Sequence, residues 1–300
     1  MTSLPTILSC PAWDDYALID SGDERKLERY GRVTVNRPDP QALWKPALSQ
    51  DVWQRADAVF QNASDRDEDE NGSWQTARGK NVPQSWPVTI DGITMQCQLM
   101  SFRHMGLFPE QRPHWQWMVK TIKESNRPLK ILNLFGYTGA ASLLAAKAGA
   151  EVTHLDASKK AIQWAKDNQA ASNLTNAPIR WICDDAKAFV AREIRRGKTY
   201  DGILLDPPKF GRGPEGEVWR FETDINDFLV NCAALLSPQA RFMIVTAYAL
   251  RFSSAALGHV LYDAVARRHG QIDHGELWLE DQSGHRPLPT SLFARWTAKA

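Results

Sequence analysis

The chain has 300 residues with 43% hydrophobic content, room for one large or two modest domains with a sizeable core. Its net charge of +1 and the absence of any apolar run of roughly 18 residues exclude a one-signed tail protein and a helical membrane protein. The N-terminal stretch MTSLPTILSCPAWDD lacks the order of a secretory signal, and Cys10, Cys97, Cys183 and Cys232 form no CxxC pair. A reduced, cytoplasmic setting without a bound metal is therefore expected.

In chain order, the first part reads as β-rich. DYALIDSG and GRVTVNRP have strand character, with DERKLERY as a charged turn between them. The acidic stretch NASDRDEDENGS (residues 62–73) reads as an exposed loop. WPVTI and ITMQCQLMSF flank Asp91-Gly92, a strong hairpin signal. We place a small β-rich domain at 1–105, a candidate substrate-binding module, and a second domain at 106–300.

The second part alternates strands and helices. LKILNLFG precedes the helix AASLLAAKAG, AEVTHLD precedes ASKKAIQWAKDNQAASN, and IRWICDD precedes AKAFVAREIRRG. YDGILLD is followed by a helix with Ile225, Phe228, Leu229, Cys232, Leu235 and Leu236 at helical spacing, and ARFMIVTAYA is a fifth strand. GELWLE and SLFARWTA form a closing strand pair. This pattern predicts an α/β fold with a doubly wound, mostly parallel, seven-stranded, Rossmann-like sheet. The halves also differ in charge: residues 1–110 carry a net −5 and residues 111–300 a net +6, compatible with a phosphate-bearing partner.

Ligands of such sheets bind at the carboxyl ends of the strands. Here those ends carry Gly136–Gly139, Asp156, Asp184 with Asp185, and Asp206. A glycine turn with an acidic residue 20 positions on fits a nucleotide whose ribose is gripped by Asp156. A dinucleotide also needs the middle glycine of G-x-G-x-x-G, where GYTGAA has Thr138, whose β-carbon would crowd a pyrophosphate. S-adenosylmethionine has no pyrophosphate and fits better, with the second acidic pair facing the adenine amino group. In LLDPPKFGRG the two prolines stiffen the chain after Asp206, and neither brings an N–H to compete for the carbonyls of Asp206 and Pro207. Such a loop presents acceptors.

LNLFGYTGAAS, HLDASKKAIQWAKDN, CDDAKAFV and LLDPPKFGRG together resemble motifs I to IV of class I S-adenosylmethionine-dependent methyltransferases. More narrowly they resemble the bacterial large-subunit ribosomal RNA methyltransferases that modify cytosine C5 or guanine N7, and GLFPEQRPHW is similar to a Gln-Arg segment of that group. The resemblance spans about residues 88–255. It implies cofactor contacts at Phe108, Gln111, Asn133, Gly136, Tyr137, Thr138, Gly139, Asp156, Ala157, Asp184, Asp185, Ala186 and Asp206, and catalytic roles for Asp206, Pro207, Pro208 and Phe210. It also implies RNA as partner. One departure matters: where C5-cytosine members place a cysteine nucleophile, VTAYA has Ala247, so that route is not expected. Methylation of a small molecule or protein, or a catalytically silent binding role, stays open. Arg112 reads equally as an anchor for an anionic group and as a surface ion pair, and His104 and His114 as structural residues.

Overall fold

In a computed structural model of the chain, the described residues are 4–63, 71–248, 250–282, 284 and 286–299. The elements run β1 (Thr6–Cys10), β2 (Tyr16–Gly22), β3 (Arg25–Tyr30), β4 (Val33–Pro38), α1 (Gln50–Trp53), β5 (Ala58–Asn62), β6 (Gly72–Thr76), β7 (Ser85–Ile90) and β8 (Ile93–Gln98). A 3-10 turn at Pro109–Gln111 then leads into α2 (Arg112–Lys123), β9 (Lys130–Leu134), α3 (Ala140–Lys147), β10 (Glu151–Asp156) and α4 (Lys159–Ala171). They continue as β11 (Ile179–Cys183), α5 (Ala186–Arg195), β12 (Gly202–Leu205), β13 (Phe210–Arg212), β14 (Val218–Arg220) and α6 (Phe221–Ala234). The last are β15 (Phe242–Tyr248), α7 (Ser254–Ala264), β16 (Gly270–Leu279) and β17 (Leu288–Ala298).

The chain forms two compact units. One comprises Met1–Leu8, Pro113–Leu277 and Ser291–Ala300; the other comprises Ser9–Arg112 and Trp278–Thr290. No helix among the described residues is long and apolar enough to cross a membrane.

The larger unit is built on an eight-stranded sheet of order β1-β16-β17-β15-β12-β9-β10-β11. Strands β11, β10, β9, β12 and β15 are parallel neighbours, and β17 returns antiparallel to β15. Seven of these strands follow the expected pattern; β1 is an addition that the short TILSC run does not announce. It fits because Gly275 clears its path: a β-carbon there would lie 1.7 Å from the Thr6 carbonyl oxygen. The apolar stripe of α6 is fully used, with Ile225, Phe228, Leu229 and Cys232 packed in one core with Leu132, Leu205 and Val245 from the sheet. Burial of this kind contributes about 25 cal/mol per Å² of apolar surface and is the main force holding helix to sheet.

The smaller unit contains a five-stranded sheet of order β2-β3-β4-β5-β6 and the β7–β8 hairpin. Asp91 and Gly92 turn that hairpin, both with positive φ, as the dipeptide signal requires. DERKLERY is not a turn throughout. Only Asp23 and Glu24 turn, at φ 50° and 60°, and Arg25–Tyr30 is strand β3. Its inward face is charged rather than apolar: Glu28 is paired with Arg37 at 2.6 Å and Lys26 with Asp39 at 2.9 Å, all buried. Paired charges in a strand interior hide the alternation that marks a strand. In the acidic stretch, residues 64–70 lie outside the described residues, while Asn62 ends β5 and Gly72 begins β6.

Candidate functional site

The parallel register sets one level across the larger sheet. Leu134, Leu155, Ile182, Leu205 and Val245 are mutual neighbours, so Phe135, Asp156, Cys183, Asp206 and Thr246 stand one residue further along on the same edge. The glycine turn, Asp156, Asp184 with Asp185, and Asp206 are thereby gathered at the carboxyl ends of adjacent strands.

The turn after β9 is a strained one. Phe135 and Tyr137 take left-handed φ values of 57° and 50°, and Gly139 follows at 88°. Non-glycine residues in this region cost about 1–3 kcal/mol each and persist only where surrounding contacts impose them. Here the Asp156 carboxylate imposes one: its Oδ2 accepts from the Tyr137 N–H at 2.9 Å and its Oδ1 from the Ser158 N–H at 2.8 Å. Burial raises the Asp156 pKa, and those two backbone donors partly offset the rise. Beneath the turn, the Asn133 amide donates to the Ser142 hydroxyl at 2.9 Å, which in turn meets His154 Nδ1 at 2.9 Å. A β-carbon at Gly136 would lie 2.4 Å from the His154 ring, so glycine is required there. Burial depresses the His154 pKa to about 3, and the ring is a neutral structural support. Thr138 is buried at 2% exposure, and its carbonyl accepts from Asn168.

The second acidic pair is already partly committed. Asp185 caps α5, with Oδ1 accepting from the Ala188 N–H at 2.8 Å. Asp184 accepts from the Asp185 N–H through Oδ1 and pairs with Arg192 through Oδ2. Ala186 is the first helical residue, where backbone N–H groups point out of the helix. Ala157 accepts the Cys183 thiol at 3.5 Å through its carbonyl.

Asp206 follows β12 directly. Its Oδ1 accepts from the Thr246 hydroxyl, and crowding around the carboxyl raises its pKa against the lowering effect of that bond, although the residue is open to solvent on one side. Pro207 is buried and Pro208 exposed. The Pro208 carbonyl is occupied: Trp219 Nε1 donates to it at 2.7 Å. Trp219 also packs against Phe135 of the glycine turn, ring centroids 5.2 Å apart, and so ties the two loops together. Phe210 begins β13, 48% exposed. Ala247, in contrast, is buried inside β15 opposite Leu292 and presents no reactive group.

Phe108 and Gln111 belong to the smaller unit, at the start and end of the Pro109–Gln111 turn, where the Gln111 N–H donates to the Phe108 carbonyl. Arg112 pairs with Asp91 at 2.7 Å and lies over the Trp13 ring at 4.8 Å, which is the ion-pair reading of that residue. His114 is buried against Phe293, and burial brings its pKa down to about 3. His104 stands between Phe102 and Phe108, its pKa well below the ordinary value through burial. Thr246, Trp219, Ser142 and His154 went unread in the sequence because each acts by touching a residue distant in the chain. Among the described residues no cluster of three or more His, Cys, Asp or Glu could hold a metal.

The donor set fits S-adenosylmethionine. Several carboxylates surround the edge, and Arg192 is paired with Asp184; this suits a ligand whose central sulfur is cationic. Comparisons with known proteins agree. The chain matches the family model described as S-adenosylmethionine-dependent methyltransferase over residues 45–257. It is similar to the crystal structure of the SAM-dependent methyltransferase from Agrobacterium tumefaciens, with a TM-score of 0.95 and 46% identity over 99% of this chain and 95% of that one. The structure of SMU.776 complexed with SAH shares the fold at a TM-score of 0.74, 18% identity, and 95% and 76% coverage. Among curated relatives, ribosomal RNA large subunit methyltransferase I of Shewanella frigidimarina is 35% identical over 41% of this chain and 31% of its own length. The K/L enzyme of Marinobacter nauticus is 33% identical over 56% of this chain and 23% of its own length, so the match spans a third or less of either relative. With its family model covering most of the chain, this protein belongs to the S-adenosylmethionine-dependent methyltransferase family.

Proposed function

We propose that the chain methylates a nitrogen of an RNA base, in a cytoplasmic setting, with ribosomal RNA as the favoured substrate. The observation that carries this reading is the Asp206-Pro207-Pro208-Phe210 loop at the cofactor edge, with Ala247 where a nucleophilic cysteine would be needed for the C5 route. The names of the curated relatives support RNA over other acceptors.

S-adenosylmethionine, when bound, supplies a methyl group already activated by sulfonium charge. Asp156 takes the ribose hydroxyls through its remaining lone pairs, the strained turn from Gly136 to Gly139 borders the amino-acid end, and Asn133 supports that turn from below. Asp185 and the Ala186 N–H, steadied by Asp184, take the adenine, with Ala157 beside it. The smaller unit, which carries Phe108 and Gln111, we assign to substrate binding. Asp206 and the Pro207 carbonyl accept from the donor beside the target nitrogen and hold its lone pair in line, and Phe210 stacks on the base. Alignment of this kind supplies most of the rate, so no strong general base is needed.

Mass spectrometry of ribosomal RNA nucleosides from a deletion strain tests the reading. Loss of one N-methylated nucleoside, restored by the wild-type chain and not by Asp206→Ala, is the expected result. An unchanged nucleoside profile would move the substrate to a small molecule or protein.

A further inference from the structure

The β13–β14 hairpin has two different faces. Its register pairs Phe210 with Arg220, Gly211 with Trp219 and Arg212 with Val218. Residues directly opposite in an antiparallel pair share a face. Trp219 and Gly211 therefore point one way, and Phe210, Arg220, Arg212 and Val218 the other.

The Trp219 face is an anchor. Trp219 is 4% exposed, bonds the Pro208 carbonyl, and packs on Phe135 and Phe228. A β-carbon at Gly211 would lie 3.2 Å from the Pro208 ring, so the hairpin rests closely on the proline pair. Lys187 secures the far strand, donating to the Val218 carbonyl at 2.8 Å.

The other face is open. All four of its residues are exposed, Phe210 by 48% and Val218 by 41%, and the Arg220 guanidinium lies 5.4 Å from the Phe210 ring centroid. Folding gives no reason to expose an aromatic ring on a rigid hairpin beside a site. A π-face with two guanidinium groups, and no carboxylate within the two strands, matches a single-stranded nucleic acid: bases stack on aromatics while cations follow the backbone.

Resting on the RNA reading above, we propose that this hairpin is the arm that docks single-stranded RNA, stacking a base on Phe210 and taking flanking phosphates with Arg220 and Arg212. Arg220 and Arg212 are thereby substrate-binding residues, Arg220 outside every motif read in the sequence and Arg212 inside LLDPPKFGRG without a role assigned to it there.

The test is fluorescence anisotropy of a labelled, unstructured RNA of about 12 nucleotides, long enough for one such groove. It is run against the full chain between about 50 and 200 mM salt. Phe210→Ala should weaken binding about 5- to 150-fold, the equivalent of ~1–3 kcal/mol for one stacked base, and Phe210→Trp should retain it. Arg220→Ala and Arg212→Ala should each reduce the log–log salt slope by about 0.7. Thermal melts and S-adenosylhomocysteine titration of each variant show that it is folded. Wild-type binding that all these variants keep would overturn the inference and leave the RNA reading standing, the open face then passing to a protein partner. A wild-type chain that does not bind RNA would overturn both.

Discussion

The carboxylate of Asp156 and the backbone N–H of Tyr137 are joined across 2.9 Å, and that bond holds Tyr137 in a left-handed conformation that tyrosine does not prefer. One side chain thus shapes the turn, and the proposed function also gives it the cofactor's ribose. In isothermal titration, S-adenosylhomocysteine should bind and NAD at the same concentration should not. Asp156→Ala should lose about 1–3 kcal/mol of that affinity, the scale of charge-assisted hydrogen bonds. Tight NAD binding, or full affinity in the variant, contradicts this role.

The proposed function gives Asp206 the acceptor role on the substrate side. Asp206→Ala should lower single-turnover methyl transfer from labelled cofactor by about two to four orders of magnitude through lost alignment. Pro208→Ala, which removes no acceptor, should cost less. Near-normal transfer by Asp206→Ala would reduce the proline pair to a rigid turn.

The pH profile gives a second reading of Asp206. The ionised carboxylate is the stronger acceptor, and desolvation raises its pKa, so the acidic limb of the profile should lie above the ordinary aspartate value. Activity should fall as pH drops through that limb. Thr246→Val removes the bond that favours the ionised form, so the limb should move further up in pH. A limb that stays in place in this variant separates Asp206 from the titration.

No covalent link to a pyrimidine should form. Cys10, Cys97 and Cys232 are buried, and burial pushes each thiol pKa up, Cys10 to about 12. Cys183 is exposed, yet its pKa is raised as well and its thiol faces the Ala157 carbonyl. A thiolate is what such a mechanism needs. Each Cys→Ser variant should keep turnover within about tenfold, allowing for lost packing. A 5-fluoropyrimidine RNA that traps the enzyme on a gel would refute this.

In the smaller unit, burial favours the neutral form of Glu28, but the charges of Arg37 and Lys26 and the bonds from Arg37 and Tyr16 outweigh it and lower the pKa to about 2. A depressed carboxylate contributes stability above its unfolded value of 4.5, and that contribution is lost as pH falls through about 2. Arg37→Met should cost about 3–5 kcal/mol by stranding a buried charge, whereas Glu28→Met with Arg37→Met should recover much of it. Denaturant melts from acid to neutral pH measure both. An Arg37→Met chain as stable as the wild type would show that the pair contributes nothing.

How much was legible from the sequence follows from where each signal resides. Parallel strands ending in Gly136, Asp156, Asp184 and Asp206 were readable because period, turn chemistry and acidic ends coincide within short windows. Strand β3 was not, because its inward residues Lys26 and Glu28 are charged and their partners Asp39 and Arg37 are supplied by neighbouring chain. The β13–β14 hairpin has three-residue strands, too short for any periodicity, and α7 went unread beside the stronger β15. Thr246, Trp219 and His154 gain their roles only from tertiary neighbours: Asp206, Pro208 and Gly136.

The pairing of β1 with β16 has a kinetic side. A ribosome adding about 5–20 residues per second makes β1 on the order of 10 to 60 seconds before its partner exists. Throughout that interval the earlier strand waits without the neighbour whose Gly275 leaves space for it, and the edge of the sheet can close only once Gly270–Leu279 has been made. Nascent chains stalled before residue 270 should therefore hold the Thr6–Cys10 segment open to proteases, and a bulky residue at 275 should prolong that exposure into the finished protein.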